Sequence, residues 1–178
     1  LRSRLDPHFE NYRLHFIVFG FAGTLAFVLG YAAGEAANRR RDARVLLLSL
    51  AFMATGGFLG LHALGTPDIL FTGDHPGFQV AIPVGLMVSA IFAAGSAFVD
   101  LRPGLAPMLI RHRTLLRALV LCAMAVWLVW TLARVPPLRG QDDEAANGGL
   151  LAVIAIAGTV AYAAGAVRYW HLYRRRWN

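Results

Sequence analysis

The charges of this 178-residue chain are swept into a few short segments, and what lies between them is apolar. Uncharged stretches run Leu14–Gly34, Val45–Pro67, His75–Val99 and Ala145–Val167. A shorter one, Ala118–Ala133, is bracketed by Arg117 and Arg134, whose stems can snorkel to the interfaces. A helix crossing a bilayer needs about 20 predominantly apolar residues, and all five stretches meet or approach that length. The expected fold is all-α: a polytopic helical membrane bundle of about five transmembrane helices in one domain. The spans fall near residues 14–34, 45–65, 78–99, 115–135 and 149–170. With 57% hydrophobic and 15% charged residues, the chain is far from a soluble composition.

The basic residues set the orientation. All seventeen are arginine, and they crowd into the turn "EAANRRRDAR" (Arg39, Arg40, Arg41, Arg44), the segment "DLRPGLAPMLIRHRTLLR" and the tail Arg174, Arg175, Arg176. Short arginine-rich loops stay cytoplasmic. Residues 66–78 carry no Arg or Lys, and "PPLRGQDDEAANGG" has one Arg against Asp142, Asp143 and Glu144. These connections belong outside, which puts the N-terminus outside and the C-terminus in the cytoplasm of a bacterial cell, with the bundle in its plasma (inner) membrane. Arg2, Arg4 and Arg13 run mildly against that placement. The formal charge of +7 does not indicate nucleic acid, because the arginines flank spans and form no basic face.

Small residues four apart, Gly30/Gly34 and Gly56/Gly60, let membrane helices approach closely. Packing within the chain is the first use for them and a homodimer face the second. There is no heptad pattern. The single cysteine, Cys122, lies in an apolar run and reads as core.

No P-loop, GxSxG, HExxH or paired-cysteine motif is present. The chain is not expected to be an enzyme. No ionisable residue sits mid-span, which argues against a proton-coupled pump. What stands out is histidine at the outer rim. His15 opens span one and His62 closes span two, so antiparallel neighbours hold them at one depth. Asp68, Asp74 and His75 lie just above, and His8 and Glu10 precede span one. Imidazole and carboxylate suit a divalent metal such as copper or zinc, and two histidines can also ligate a haem axially. The competing reading gives His15 and His62 plain interfacial or hydrogen-bonding roles, with His8 and His75 as solvated loop residues. His112, between two arginines, and His171, ahead of the terminal arginine run, are a weaker echo at the inner side and read as headgroup-facing.

Several blocks resemble one family. "DPHFENYRLHF", "RRRDARVLLLSLAFMATGGFLGLHALGTPDIL", "GFQVAIPVGLMVSAIFAAGSA", "PPL" and "YAAGAVRYWHLYRRR" together look like the membrane region of bacterial class III adenylate/guanylate cyclases. The likeness is most distinctive around His62, Thr66 and Pro67; Gly65 and Asp68 depart from it. It implies an N-terminal multi-span module ahead of a cytosolic cyclase domain, whose metal-binding aspartates this chain lacks. The chain starts without methionine and stops just past an apolar run, and so reads as a piece of a longer polypeptide. Three functions are expected, in this order. The first is a sensory input domain coupling an extracytoplasmic ligand, metal or redox signal to a cytosolic output domain or partner subunit. The second is a bare anchor, and the third an accessory membrane subunit binding haem or copper.

Overall fold

A computed structural model describes residues 11–67, 69–71, 75–135 and 144–177. These form seven α-helices: α1 (Tyr12–Arg40), α2 (Ala43–Leu64), α3 (Pro76–Gln79), α4 (Ala81–Phe98), α5 (Leu105–Arg111), α6 (Arg113–Leu132) and α7 (Glu144–Trp177). A 3-10 turn, Val99–Leu101, extends α4. There is no strand among the described residues. Five helices are long and apolar enough to cross a membrane: α1, α2, α4 with its 3-10 turn, α6, and Leu151–Arg175 within α7. The protein is a multi-pass helical membrane protein.

The third span begins later than its hydropathy implies. Residue 78 belongs to α3, and the chain pauses at Val80 (φ −83°, ψ 0°) before α4 starts. Prolines explain the two starts. Pro76 opens α3 and Pro83 sits in the first turn of α4, positions where a missing backbone donor costs nothing. At the opposite end α1 runs on to Arg40. It stops where Arg41 turns left-handed (φ 53°) and donates its N–H back to the last turn. Asp42 then caps α2, its side chain accepting from Arg44 N at 2.9 Å and Val45 N at 3.1 Å.

The hub is α2. It buries Leu46, Leu50, Met53, Ala54 and Phe58, and α1, α4 and α6 pack around it, while α7 packs on α4. The remaining faces of α1, α6 and α7 show Ile17, Phe21, Val126, Val153 and Ile156 to the surroundings, as a lipid-facing bundle does. Glycine makes the α1–α2 contact possible. A Cβ at Gly23 would stand 2.8 Å from Gly56 O and Gly60 N, and one at Gly30 would stand 2.8 Å from Met53 N. The small-residue spacing of Gly30/Gly34 and Gly56/Gly60 therefore serves packing within the chain.

A seven-residue repeat joins α4 to α7, although the sequence carries no heptad of apolar residues. Tyr162 Oη donates to Ser89 Oγ at 2.8 Å, and seven residues on Tyr169 Oη and Ser96 Oγ lie 2.9 Å apart. Gly158 sits against Met87 and Gly165 against Ala94, again in steps of seven. The two helices run parallel, and the repeat is that of a left-handed crossing. Cys122 differs from the expectation too: it is exposed on the outer face of α6 and is not part of the core.

The ends of the bundle are chemically unlike. Arg44 pairs with Asp100, joining the start of α2 to the end of α4. Arg117 does not snorkel outward. Its guanidinium reaches Glu35 of α1 at 2.5 Å and lies over the Tyr31 ring, 5.2 Å from the centroid. Arg39, Arg40, Arg41, Arg174 and Arg175 lie at this same end; the side chain of Arg176 is outside the described residues.

Candidate functional site: the two-histidine rim

At the opposite end, α1 begins at Asn11, whose side chain accepts from Leu14 N at 3.0 Å. That cap sets His15 in the first turn of α1, on the side facing α2. His62 occupies the last turn of the antiparallel α2. Because glycine brings the two backbones so close, the imidazoles meet: their centroids are 5.3 Å apart in an edge-to-face arrangement. Phe19, one turn below His15, packs against both rings at 4.4 and 5.1 Å.

The partner of His62 settles its proton. Nδ1 lies 3.0 Å from the carbonyl oxygen of Phe78. A carbonyl only accepts, so Nδ1 carries a hydrogen, and in the neutral ring Nε2 then keeps the lone pair. An imidazole held this way through one nitrogen presents the other as a ligand or acceptor.

Phe78 is itself tightly seated. It is fully buried and stacks on Phe71 at 5.7 Å. A Cβ at Gly65 would stand 2.3 Å from the Phe78 Cβ, so glycine at 65 makes room for the ring. Gly77 does the same against Thr131, and its carbonyl accepts from Trp127 Nε1 at 2.9 Å. Thr66 closes α2 by donating to Ala63 O at 2.7 Å. The helical turn α3 is thus fastened to α2 through His62 and to α6 through Trp127. Gly65, Gly77, Phe78 and Trp127 were not among the sequence candidates. Their only sequence signal is two glycines flanking the polar turnaround.

The other candidates fall out differently. His75 stands within ring contact of Phe71 and Phe78 at 5.8 Å, with its Nδ1 enclosed and lacking a hydrogen-bond partner among the described residues. It is half-buried beneath the turn rather than a freely solvated loop residue. His8, Glu10, Asp68 and Asp74 lie outside the described residues. His112 and His171 are exposed at the arginine-rich end, far along the chain axis from the rim. No group of three or more His, Cys, Asp or Glu side chains converges among the described residues.

The geometry discriminates between the two kinds of cofactor. Two imidazoles sharing one tetrahedral ion, each nitrogen about 2.0–2.1 Å from it, hold their centroids roughly 5 Å apart. The observed 5.3 Å is compatible with that separation, and it is equally the distance of a plain edge-to-face ring contact. Axial haem ligands stand on opposite sides of a flat macrocycle, and rings in edge-to-face contact with centroids 5.3 Å apart leave no room for one between them. Comparison with known proteins finds no matching family model, curated protein or solved structure.

Proposed function

We propose that this chain is a membrane-embedded input module, in which the His15–His62 pair takes up a single metal ion at the extracytoplasmic rim and passes the event to a cytosolic output. The observation that carries this reading is the tether from His62 Nδ1 to Phe78 O. It couples one ring of the pair to the turn that also grips α6, so a shift of the ring loads several helices at once. From α2 the contact continues to α4, and from α4 along the tyrosine–serine seam to the arginine-rich end of α7. The resemblance to cyclase membrane regions supports a nucleotide cyclase as the output, in the same polypeptide or on a partner.

A ligand biases an output only if it binds two conformations unequally, and that defines the test. Zinc or cuprous ion is titrated into the purified protein in detergent while amide hydrogen exchange is followed. One ion per chain should bind, and exchange should change both at the rim and in residues 163–175. His62→Ala should abolish binding and both changes. No binding to the wild type would reduce the chain to an anchor, and binding that leaves residues 163–175 untouched would overturn the input-module reading. The accessory-subunit reading rests on the same pair holding copper and predicts binding with no change in α7.

A further inference from the structure

The arginine-rich end holds two kinds of arginine. Arg44 and Arg117 are neutralised by Asp100 and Glu35. Arg41, Arg111 and Arg113 have no carboxylate partner among the described residues; the one side-chain bond of the three is Arg113 Nη1 to Ile110 O at 3.3 Å. They are not scattered. All three line one open concavity of about 440 Å³, whose remaining wall is Ala106, Pro107 and Ile110 of α5. That volume lies within the range of small-molecule sites, about 300–1,000 Å³.

The setting narrows the ligand. Three unpaired guanidinia ask for an anion with several acceptor oxygens, and phosphate esters match the planar fork of arginine. The apolar wall asks that the anion carry a hydrocarbon part. The helix α5 answers where such a molecule resides. Leu105, Ala106, Leu109 and Ile110 pack toward the core of α2, while Pro107 and Met108 stay exposed, Pro107 beside the arginines. This short, largely apolar helix links the ends of two spans, so it falls at the depth where headgroups meet the chain.

We infer that the cavity between Arg41, Arg111, Arg113 and α5 binds the phosphate headgroup of an anionic phospholipid from the cytoplasmic leaflet. The left-handed turn at Arg41 and the break at His112, where α5 gives way to α6, bring the three arginines to one concavity. The site is separate from the histidine rim and stands whether or not that rim binds a metal.

The test uses the purified protein in nanodiscs of phosphatidylcholine doped with phosphatidylglycerol or cardiolipin, with retained lipid counted by native mass spectrometry. The wild type should retain the anionic lipid selectively. A triple Arg41→Gln, Arg111→Gln, Arg113→Gln variant should lose roughly a hundredfold in affinity, about fivefold per guanidinium, as expected for arginines near an anionic surface. Pro107→Trp, which fills the apolar wall and leaves every charge in place, should weaken retention as well and guards against topology changes in the triple variant. Arg174→Gln with Arg175→Gln should retain the lipid like the wild type. Equal retention by wild type and Pro107→Trp, or equal loss in the tail variant, would overturn the site. Displacement by inorganic phosphate without selective lipid retention would reassign it to a soluble phosphate.

Discussion

Gly56 and Gly60 share a helix face and a sequence spacing, yet they do different work. A Cβ at Gly56 would lie 2.5 Å from Phe27 N and 2.6 Å from Gly23 O, both backbone atoms of α1 that cannot turn aside. At Gly60 a Cβ would meet nothing within 4 Å. Gly56→Ala should therefore destabilise the bundle by about 1–3 kcal/mol through overpacking. Gly60→Ala should be neutral or stabilising by up to about 1 kcal/mol, the helix-propensity gain. Thermal unfolding in detergent, scored by loss of the folded peak on size exclusion, separates the two. The four-residue spacing was legible in the sequence; which member of each pair bears the contact was not, because that depends on the helix across the interface. The histidines divide likewise. Counting turns from the ends of two antiparallel spans brings His15 and His62 to one depth, but nothing local marks the Phe78 carbonyl sixteen residues later as the group that orders His62.

Between elements, polar groups replace apolar periodicity as the ordering signal. In lipid every face of a helix is apolar, so the core-facing stripe that reveals packing in soluble helices loses its contrast. That is why the α4–α7 register was invisible and why Cys122 was misplaced. The register is carried by Ser89, Ser96, Tyr162 and Tyr169, residues of four positions within two long spans. Each bond should contribute about 0.6 kcal/mol, the usual interhelical value in membranes. Double-mutant cycles of Tyr162→Phe with Ser89→Ala and Tyr169→Phe with Ser96→Ala should return coupling near that figure. Ser96 also donates to Ala93 O at 2.6 Å, so it keeps a partner when Tyr169 loses its hydroxyl and the second cycle should be the smaller. The ion pair at the arginine end behaves differently. The Arg117 side chain is only 16% exposed, so Glu35→Gln strands a half-desolvated guanidinium and should cost about 1–2 kcal/mol. The double variant Glu35→Gln, Arg117→Met should recover most of that loss in the same unfolding measurement, because it removes the stranded charge.

At the scale of the molecule, one end is arginine and the other histidine, and the direction of that axis decides what each site meets. The arrangement of helices is the same whichever way the bundle is threaded; only the charge rule orients it. Twelve of the seventeen arginines fall, in sequence, at the α1–α2 turn, around α5 or in the tail of α7, while Arg2, Arg4 and Arg13 come at or before the first turn of α1 and Arg134 and Arg139 between α6 and α7. A twelve-to-five imbalance, spread over short loops, predicts that the arginine end lies in the cytoplasm against the minority. In a Cys122→Ser background, a cysteine at Leu70, exposed in the turn before α3, should react with a membrane-impermeant maleimide added to intact cells. A cysteine at Arg102, exposed after the 3-10 turn, should react only once the cells are permeabilised. The reverse pattern would carry both proposals down together. The histidine pair would then face a cytosol whose metal is already buffered, and the guanidinium cavity would open to the outer leaflet in place of the cytoplasmic one the proposal names.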